Sequence, residues 1–91
     1  MQRRTPLGYQ IQNGKAEIEP ETAEFVREIF DTYLTGISTY RIAKDFTRRG
    51  ILNASHKPSW NHGSIGKILE NRKYIGDEFY PPLIEQSIFE Q

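Results

Sequence analysis

The side chains that could support metal-dependent or nucleophilic chemistry are few in this sequence, and their spacing does not favour it. The 91 residues include two histidines, His56 and His62, and no cysteine. Two histidines without thiolates or well-spaced carboxylates do not predict a metal site. No serine or lysine is accompanied by a plausible general base, and Asp77 and Glu78 would point to opposite sides of a strand. We therefore expect no catalysis, metal or other cofactor from this chain alone.

The stretch from Trp60 to Asn71, WNHGSIGKILEN, carries an unusual helix signal. Asn61 suits the N-cap position, yet two glycines follow in the helix, and each costs about 1 kcal/mol relative to alanine. Gly63 points away from the apolar face, which would let a phosphate or a base edge reach the helix N-terminus. The alternative is an ordinary helical bundle that packs closely through its glycines. The candidate DNA-binding residues here are Asn61, His62, Gly63, Ser64, Gly66 and Lys67.

The net charge is zero, but its distribution is uneven. Residues 17–31 contain six acidic residues and one arginine, whereas residues 41–73 contain eight basic residues and two acidic ones. This pattern indicates a face that attracts phosphate, or simply a run of solvated helix faces. Arg3 and Arg4 are candidates for a flexible arm in a minor groove, or belong to a linker. The further basic candidates for DNA contact are Arg41, Lys44, Lys57, Arg72 and Lys73.

Turn signals and hydrophobic periodicity predict an α+β, mainly helical fold. Residues 8–18 alternate around Asn13-Gly14 as a β-hairpin, and helices are expected over residues 20–35, 39–49 and 61–71. The second and third helices resemble a helix-turn-helix pair in composition, although their loop of about eleven residues exceeds the usual three or four. A short strand is expected at residues 77–80 and an extended tail over residues 81–91.

Short motifs occur in a fixed order along the chain: Pro6-Leu-Gly-Tyr9, Ile29-Phe30-Asp-Thr-Tyr33, Gly36-Ile-Ser38, Ile42-Ala43, Arg49-Gly-Ile51, Trp60, Ile65, Ile68-Leu69 and Asn71-Arg-Lys-Tyr-Ile-Gly76. This ordered set resembles the recombinase domain of large serine recombinases, which include phage serine integrases and long transposon resolvases. The resemblance implies a linker or arm at residues 1–5, a DNA-binding domain at residues 6–80 and a tail at residues 81–91 toward a missing domain.

The resemblance also implies a division of labour. A separate resolvase-like domain would carry the nucleophilic serine, and a zinc-ribbon domain would follow the present one. The third helix would enter the major groove of double-stranded DNA at part of an attachment half-site, and the missing domains would mediate oligomerisation on DNA. A stand-alone helix-turn-helix regulator and a protein-interaction module are the alternatives. With no signal peptide or apolar run of roughly 18 residues, we expect a cytoplasmic protein, encoded by a bacterium or a phage.

Overall fold

The computed structural model describes residues 5–91, so the candidates Arg3 and Arg4 lie outside the described residues. Its architecture confirms the predicted α+β, mainly helical fold. A two-stranded antiparallel sheet precedes three longer helices, a short 3₁₀ helix at Arg72–Ile75 and a short final helix. The elements are β1 (Tyr9–Gln12), β2 (Lys15–Ile18), α1 (Pro20–Leu34), α2 (Thr39–Arg48), α3 (His62–Glu70) and α4 (Gln86–Phe89).

The β-hairpin forms where the sequence predicts it. Asn13 and Gly14 have φ values of 53° and 74°, as a type I′ turn requires. Tyr9 joins the hairpin to the core, because its ring stacks on the ring of Tyr74 with centroids 5.7 Å apart. The Tyr9 hydroxyl lies within hydrogen-bond distance of two carbonyl oxygens, 3.0 Å from that of Lys73 and 2.7 Å from that of Pro81.

The three longer helices enclose a single apolar core. The apolar stripe that the spacing predicts on α1 is buried at Val26, Ile29 and Phe30. Its last two residues, Tyr33 and Leu34, are exposed instead. After Gly36, whose φ of 100° ends the first helical segment, the Ser38 hydroxyl accepts a hydrogen bond from the backbone N–H of Arg41 at the start of α2. The most extensive contacts between helices are those of α2 with α3. These two helices therefore form one structural unit.

The prediction of a short strand at residues 77–80 is wrong. The carboxylate of Asp77 accepts hydrogen bonds from the backbone N–H groups of Phe79 and Tyr80, at 2.8 and 2.7 Å. The Asp77 N–H in turn donates to the Tyr80 carbonyl oxygen at 2.9 Å. This side-chain-to-backbone turn satisfies locally the groups that a strand would pair with a neighbour.

Residues 81–91 also differ from the extended tail that we expected. The backbone N–H groups of Leu83 and Ile84 both donate to the carbonyl oxygen of Tyr74, at 2.8 and 2.9 Å, and both side chains are buried. The chain then forms α4, where Phe89 packs against Phe30 with ring centroids 5.8 Å apart. Leu83 and Ile84 are thus covered by the core, and Ile88 and Phe89 pack against it while remaining partly exposed.

Candidate nucleic-acid interface

The loop between α2 and α3 is long, but one residue fixes it between the two helices. The Trp60 ring is buried and contacts the ring of Phe46 edge-on, with centroids 5.2 Å apart. Its indole N–H donates to the Ile51 carbonyl oxygen at 2.8 Å, and its backbone N–H donates to the Thr47 hydroxyl oxygen at 3.0 Å. The start of α3 is therefore held against the C-terminal half of α2.

A groove of about 420 Å³ runs between α2 and the first turn of α3. We call it the α2 groove. It is lined by Tyr40, Ala43, Lys44, Thr47, Arg48, Trp60, Asn61 and His62. The structure thus brings together one basic candidate from α2, Lys44, and two candidates from α3, Asn61 and His62. Thr47 and Trp60 also line the groove, and the hydrogen bond between them joins its two walls.

A second groove, of about 340 Å³, borders α3 and is called here the loop groove. It contains the candidates Ser64, Lys67 and Lys73, together with residues of the loop between α2 and α3. Lys67 is exposed, and Lys73 lies with its ammonium group 5.6 Å from the centre of the Tyr80 ring. Helix α3 therefore borders two grooves, each of which contains cationic side chains.

The side chains of Asn61 and Ser64 are engaged within α3 itself. The Asn61 side-chain oxygen accepts from the Ser64 N–H at 2.9 Å, and the Ser64 hydroxyl oxygen accepts from the Asn61 N–H at 3.0 Å. The same hydroxyl donates to the Asn61 carbonyl oxygen at 2.8 Å. This reciprocal cap confirms the predicted helix start. The cap occupies the Ser64 hydroxyl and the Asn61 side-chain oxygen, so the Asn61 amide NH2 group remains a donor at the helix start beside His62 and Lys67.

Among the described residues, two arginines at the end of α2 form ion pairs with carboxylates, whereas the lysines at the two grooves do not. Arg49 donates to the carboxylates of Glu28 and Asp45, and Arg48 also pairs with Asp45. Hydrogen bonds from Arg49 and then Arg48 hold the pKa of the Asp45 carboxyl below its usual value. The ion pairs within residues 5–91 involve arginines only, so the lysines at the two grooves are not neutralised by one.

Other candidates lie away from the two grooves. Arg41 lines a small cleft with Glu28 and Asp45, between α1 and α2. Arg72 places its guanidinium 5.6 Å from the centre of the Phe89 ring. Lys57 is exposed in the loop that precedes α3. The structure therefore does not collect all the predicted basic residues on one surface.

The two glycines of α3 occupy different environments. Gly63 is exposed, and a Cβ atom built there would meet only the Asn61 side-chain oxygen, at 3.1 Å. Gly66 opens onto a cleft shared with Glu70 and Phe89, and a Cβ atom there would have no heavy atom within 4 Å. Neither glycine is therefore required for packing among the described residues.

Five residues that line the α2 groove, Tyr40 and Arg48 among them, were not candidates from the sequence. These two residues share one stripe of α2 with Lys44, at a spacing of four residues. That spacing is visible in the sequence and could have indicated them. The sequence could not show that Tyr40 is 65% exposed, because its exposure depends on which neighbouring element covers each flank of the helix.

Together, the fold and the grooves define a small, mainly helical domain whose third helix borders two clefts that contain cationic side chains. The family model described as Recombinase matches residues 20–91, and the chain belongs to that family. This confirms the recombinase-domain resemblance and connects the chain with site-specific recombination, in which DNA is the general partner. The corresponding middle domain of serine recombinases is a non-catalytic part of those enzymes. No solved structure matches the chain. Within residues 5–91, no helix has the length and apolar character needed to cross a membrane.

Proposed function

We propose that this chain is a DNA-binding module of a site-specific serine recombinase, and that α3 enters the major groove at part of an attachment half-site. The observation that carries the proposal is that α3 borders two grooves, each with cationic side chains: its first turn lines the α2 groove, and Ser64 and Lys67 line the loop groove. A major groove about 12 Å wide is bounded by two phosphate backbones. In this arrangement, the α2 groove follows one backbone through Lys44, and the loop groove follows the other through Lys67 and Lys73.

The outward side of α3 suits a close approach to DNA. A helix with its side chains is about 10–12 Å across, which nearly fills the major groove. The exposed Gly63 reduces that width next to the N-terminal turn, where the N–H groups and the helix dipole favour an anion. The side chains that contact DNA are then those of His62, just before Gly63 in the sequence, and Lys67, one turn after it.

The remaining functions of a recombinase belong, in this proposal, to other domains. The nucleophilic serine that cleaves the strand lies in a resolvase-like domain, and a zinc-ribbon domain and oligomerisation complete the assembly on DNA. The described residues supply binding and register. Contacts to phosphate position the protein on the duplex, whereas contacts to base edges determine the sequence that it recognises.

The first experiment is an NMR titration of the ¹⁵N-labelled protein with a random-sequence duplex at low and moderate salt. We expect salt-sensitive shifts in residues 41–49 and 61–67, because binding that neutralises phosphates weakens as salt rises. Lys44→Ala and Lys67→Ala should each reduce the slope of log affinity against log salt by about 0.9. Lys15→Ala, on the hairpin and outside both grooves, is the matched control and should leave the slope unchanged.

A glycine variant tests the orientation of α3 separately from its charge. Gly63→Gln adds a neutral side chain at an exposed position, so we expect weaker DNA binding with the fold retained. Normal binding by this variant would contradict an approach of DNA along that face. Shifts that are insensitive to salt, or that occur away from both grooves, would instead favour a protein-interaction module.

A further inference from the structure

The most exposed large hydrophobic side chain of the described residues lies at the α2 groove. Tyr40 is 65% exposed, compared with 41% for Tyr33 on α1. It is the second residue of α2, two positions after the Ser38 cap, so its backbone is held in place. Its hydroxyl has no hydrogen-bond partner among residues 5–91. The helix start therefore presents an exposed aromatic ring and a free donor to solvent.

Tyr40 continues the cationic stripe of α2. It lies four residues before Lys44 and eight before Arg48, and all three residues line the α2 groove. At 1.5 Å per residue the stripe is about 12 Å long, which corresponds to the axial rise of roughly three to four nucleotides of one strand. A backbone strand that contacts Lys44 and lies along this stripe therefore also meets Tyr40.

The chemistry of a tyrosine suits both the sugar and the phosphate of such a strand. A sugar offers an apolar surface to the ring, and a phosphate oxygen accepts from a phenol hydroxyl. We propose that Tyr40 is a DNA-positioning residue, whose ring packs on a deoxyribose and whose hydroxyl donates to a phosphate of the strand that Lys44 contacts. This inference rests on the proposed function, since it needs DNA at the α2 groove.

Salt dependence distinguishes the neutral contact of Tyr40 from the charged contact of Lys44. A neutral side chain releases no counterion, so Tyr40→Ala should lower the affinity several-fold at every salt concentration without changing the slope of log affinity against log salt. Lys44→Ala should lower the affinity and also reduce that slope by about 0.9. Tyr40→Phe retains the ring and removes only the hydroxyl, and it should lose a smaller part of the affinity.

The affinities are measured by fluorescence anisotropy of a labelled duplex at four salt concentrations, with Tyr33→Ala as the matched control. Tyr33 is also an exposed helical tyrosine, but it lines the cleft beside Gly66 rather than the α2 groove. Thermal unfolding of each variant checks the fold, and Tyr40→Phe serves as the test if Tyr40→Ala does not fold.

The outcomes distinguish this inference from the proposed function. A slope-preserving loss in Tyr40→Ala, absent from Tyr33→Ala, supports the tyrosine contact. If Lys44→Ala reduces the slope while Tyr40→Ala binds like the unsubstituted protein, the tyrosine contact is refuted and the DNA-binding groove stands. If neither variant changes binding, DNA does not occupy the α2 groove, and both proposals fail in this geometry.

Discussion

Gly66 provides a test of the structure in which stability is expected to rise. It lies in the interior of α3, and a Cβ atom at this position would have no heavy atom within 4 Å. Alanine should therefore gain the full difference in helix propensity, about 1 kcal/mol, with no steric cost. For a domain of this size, 1 kcal/mol corresponds to a rise in Tm of about 4–8 °C.

Gly63 in the same helix supplies the contrast. A Cβ atom here would lie 3.1 Å from the Asn61 side-chain oxygen, which accepts the hydrogen bond of the N-terminal cap. Weakening a cap of this kind costs about 0.5–2 kcal/mol, which offsets the gain in propensity. We therefore expect Gly63→Ala to change the Tm little, although the chemical substitution is identical.

Both variants are assayed by thermal and urea unfolding, followed by circular dichroism. Urea midpoints that move without a change in the m-value would assign the effect to stability rather than to the compactness of the unfolded state. An unchanged or lower Tm for Gly66→Ala would refute the conclusion that this position is free of packing constraints. An equal rise for both variants would show that the Asn61 cap tolerates a Cβ atom at position 63.

Three further predictions concern the residues that support the fold. Burial raises the pKa of the Tyr9 hydroxyl to about 12, and the nearby Asp77 charge contributes in the same direction. Because this folded pKa lies above the unfolded value of 10.0, the stability contribution of Tyr9 should be fully present below pH 10 and fall as the pH rises toward 12. Tyr9→Phe should therefore flatten the alkaline limb in a pH series of urea midpoints. The pKa of Asp45 is lowered instead, so its contribution is present above its unfolded value of 3.8 and is lost at lower pH, and Asp45→Asn should show a shallower acid limb in the same series. Leu83→Ala should lower the free energy of unfolding by about 2–5 kcal/mol in urea titrations, because Leu83 is buried in the core, whereas an extended tail at this position would give almost no change.

Several parts of the fold that depend on residues close in the sequence were predicted from it, with one exception at residues 77–80. Asn13 and Gly14 adopt the dihedral angles of their turn within the hairpin itself, and the caps at Ser38 and Asn61 act on backbone groups three residues away. Such signals need no knowledge of the tertiary structure. The pattern at residues 77–80 failed because one side chain, that of Asp77, satisfies the local backbone before any partner strand is required.

The parts that depend on distant residues were not predictable. Leu83 and Ile84 are held by the carbonyl oxygen of Tyr74, and nothing in their own stretch indicates that partner. The same limit applies to the candidate site. The sequence identified Lys44 and Arg41 as equivalent cations of one helix, yet α1 and α3 cover different flanks of α2 and assign the two residues to different clefts. Choosing between flanks requires the packing of three helices.

The hydrogen bonds of the Tyr9 and Tyr74 hydroxyls couple the local unfolding of the hairpin to that of the core. The Tyr9 hydroxyl reaches the carbonyl oxygens of Lys73 and Pro81, 64 and 72 residues away in the sequence, and so joins β1 to the 3₁₀ helix and to the segment after it. The Tyr74 hydroxyl donates to the carbonyl oxygen of Leu7, 67 residues away, just before the hairpin. Fraying of β1 would break these bonds and expose two large buried rings. Amide hydrogens of β1 and those of Leu83 and Ile84 should therefore exchange with solvent through the same opening event, with protection close to that of global unfolding. The hairpin, although only two strands wide, is then part of the cooperative unit that the core helices form.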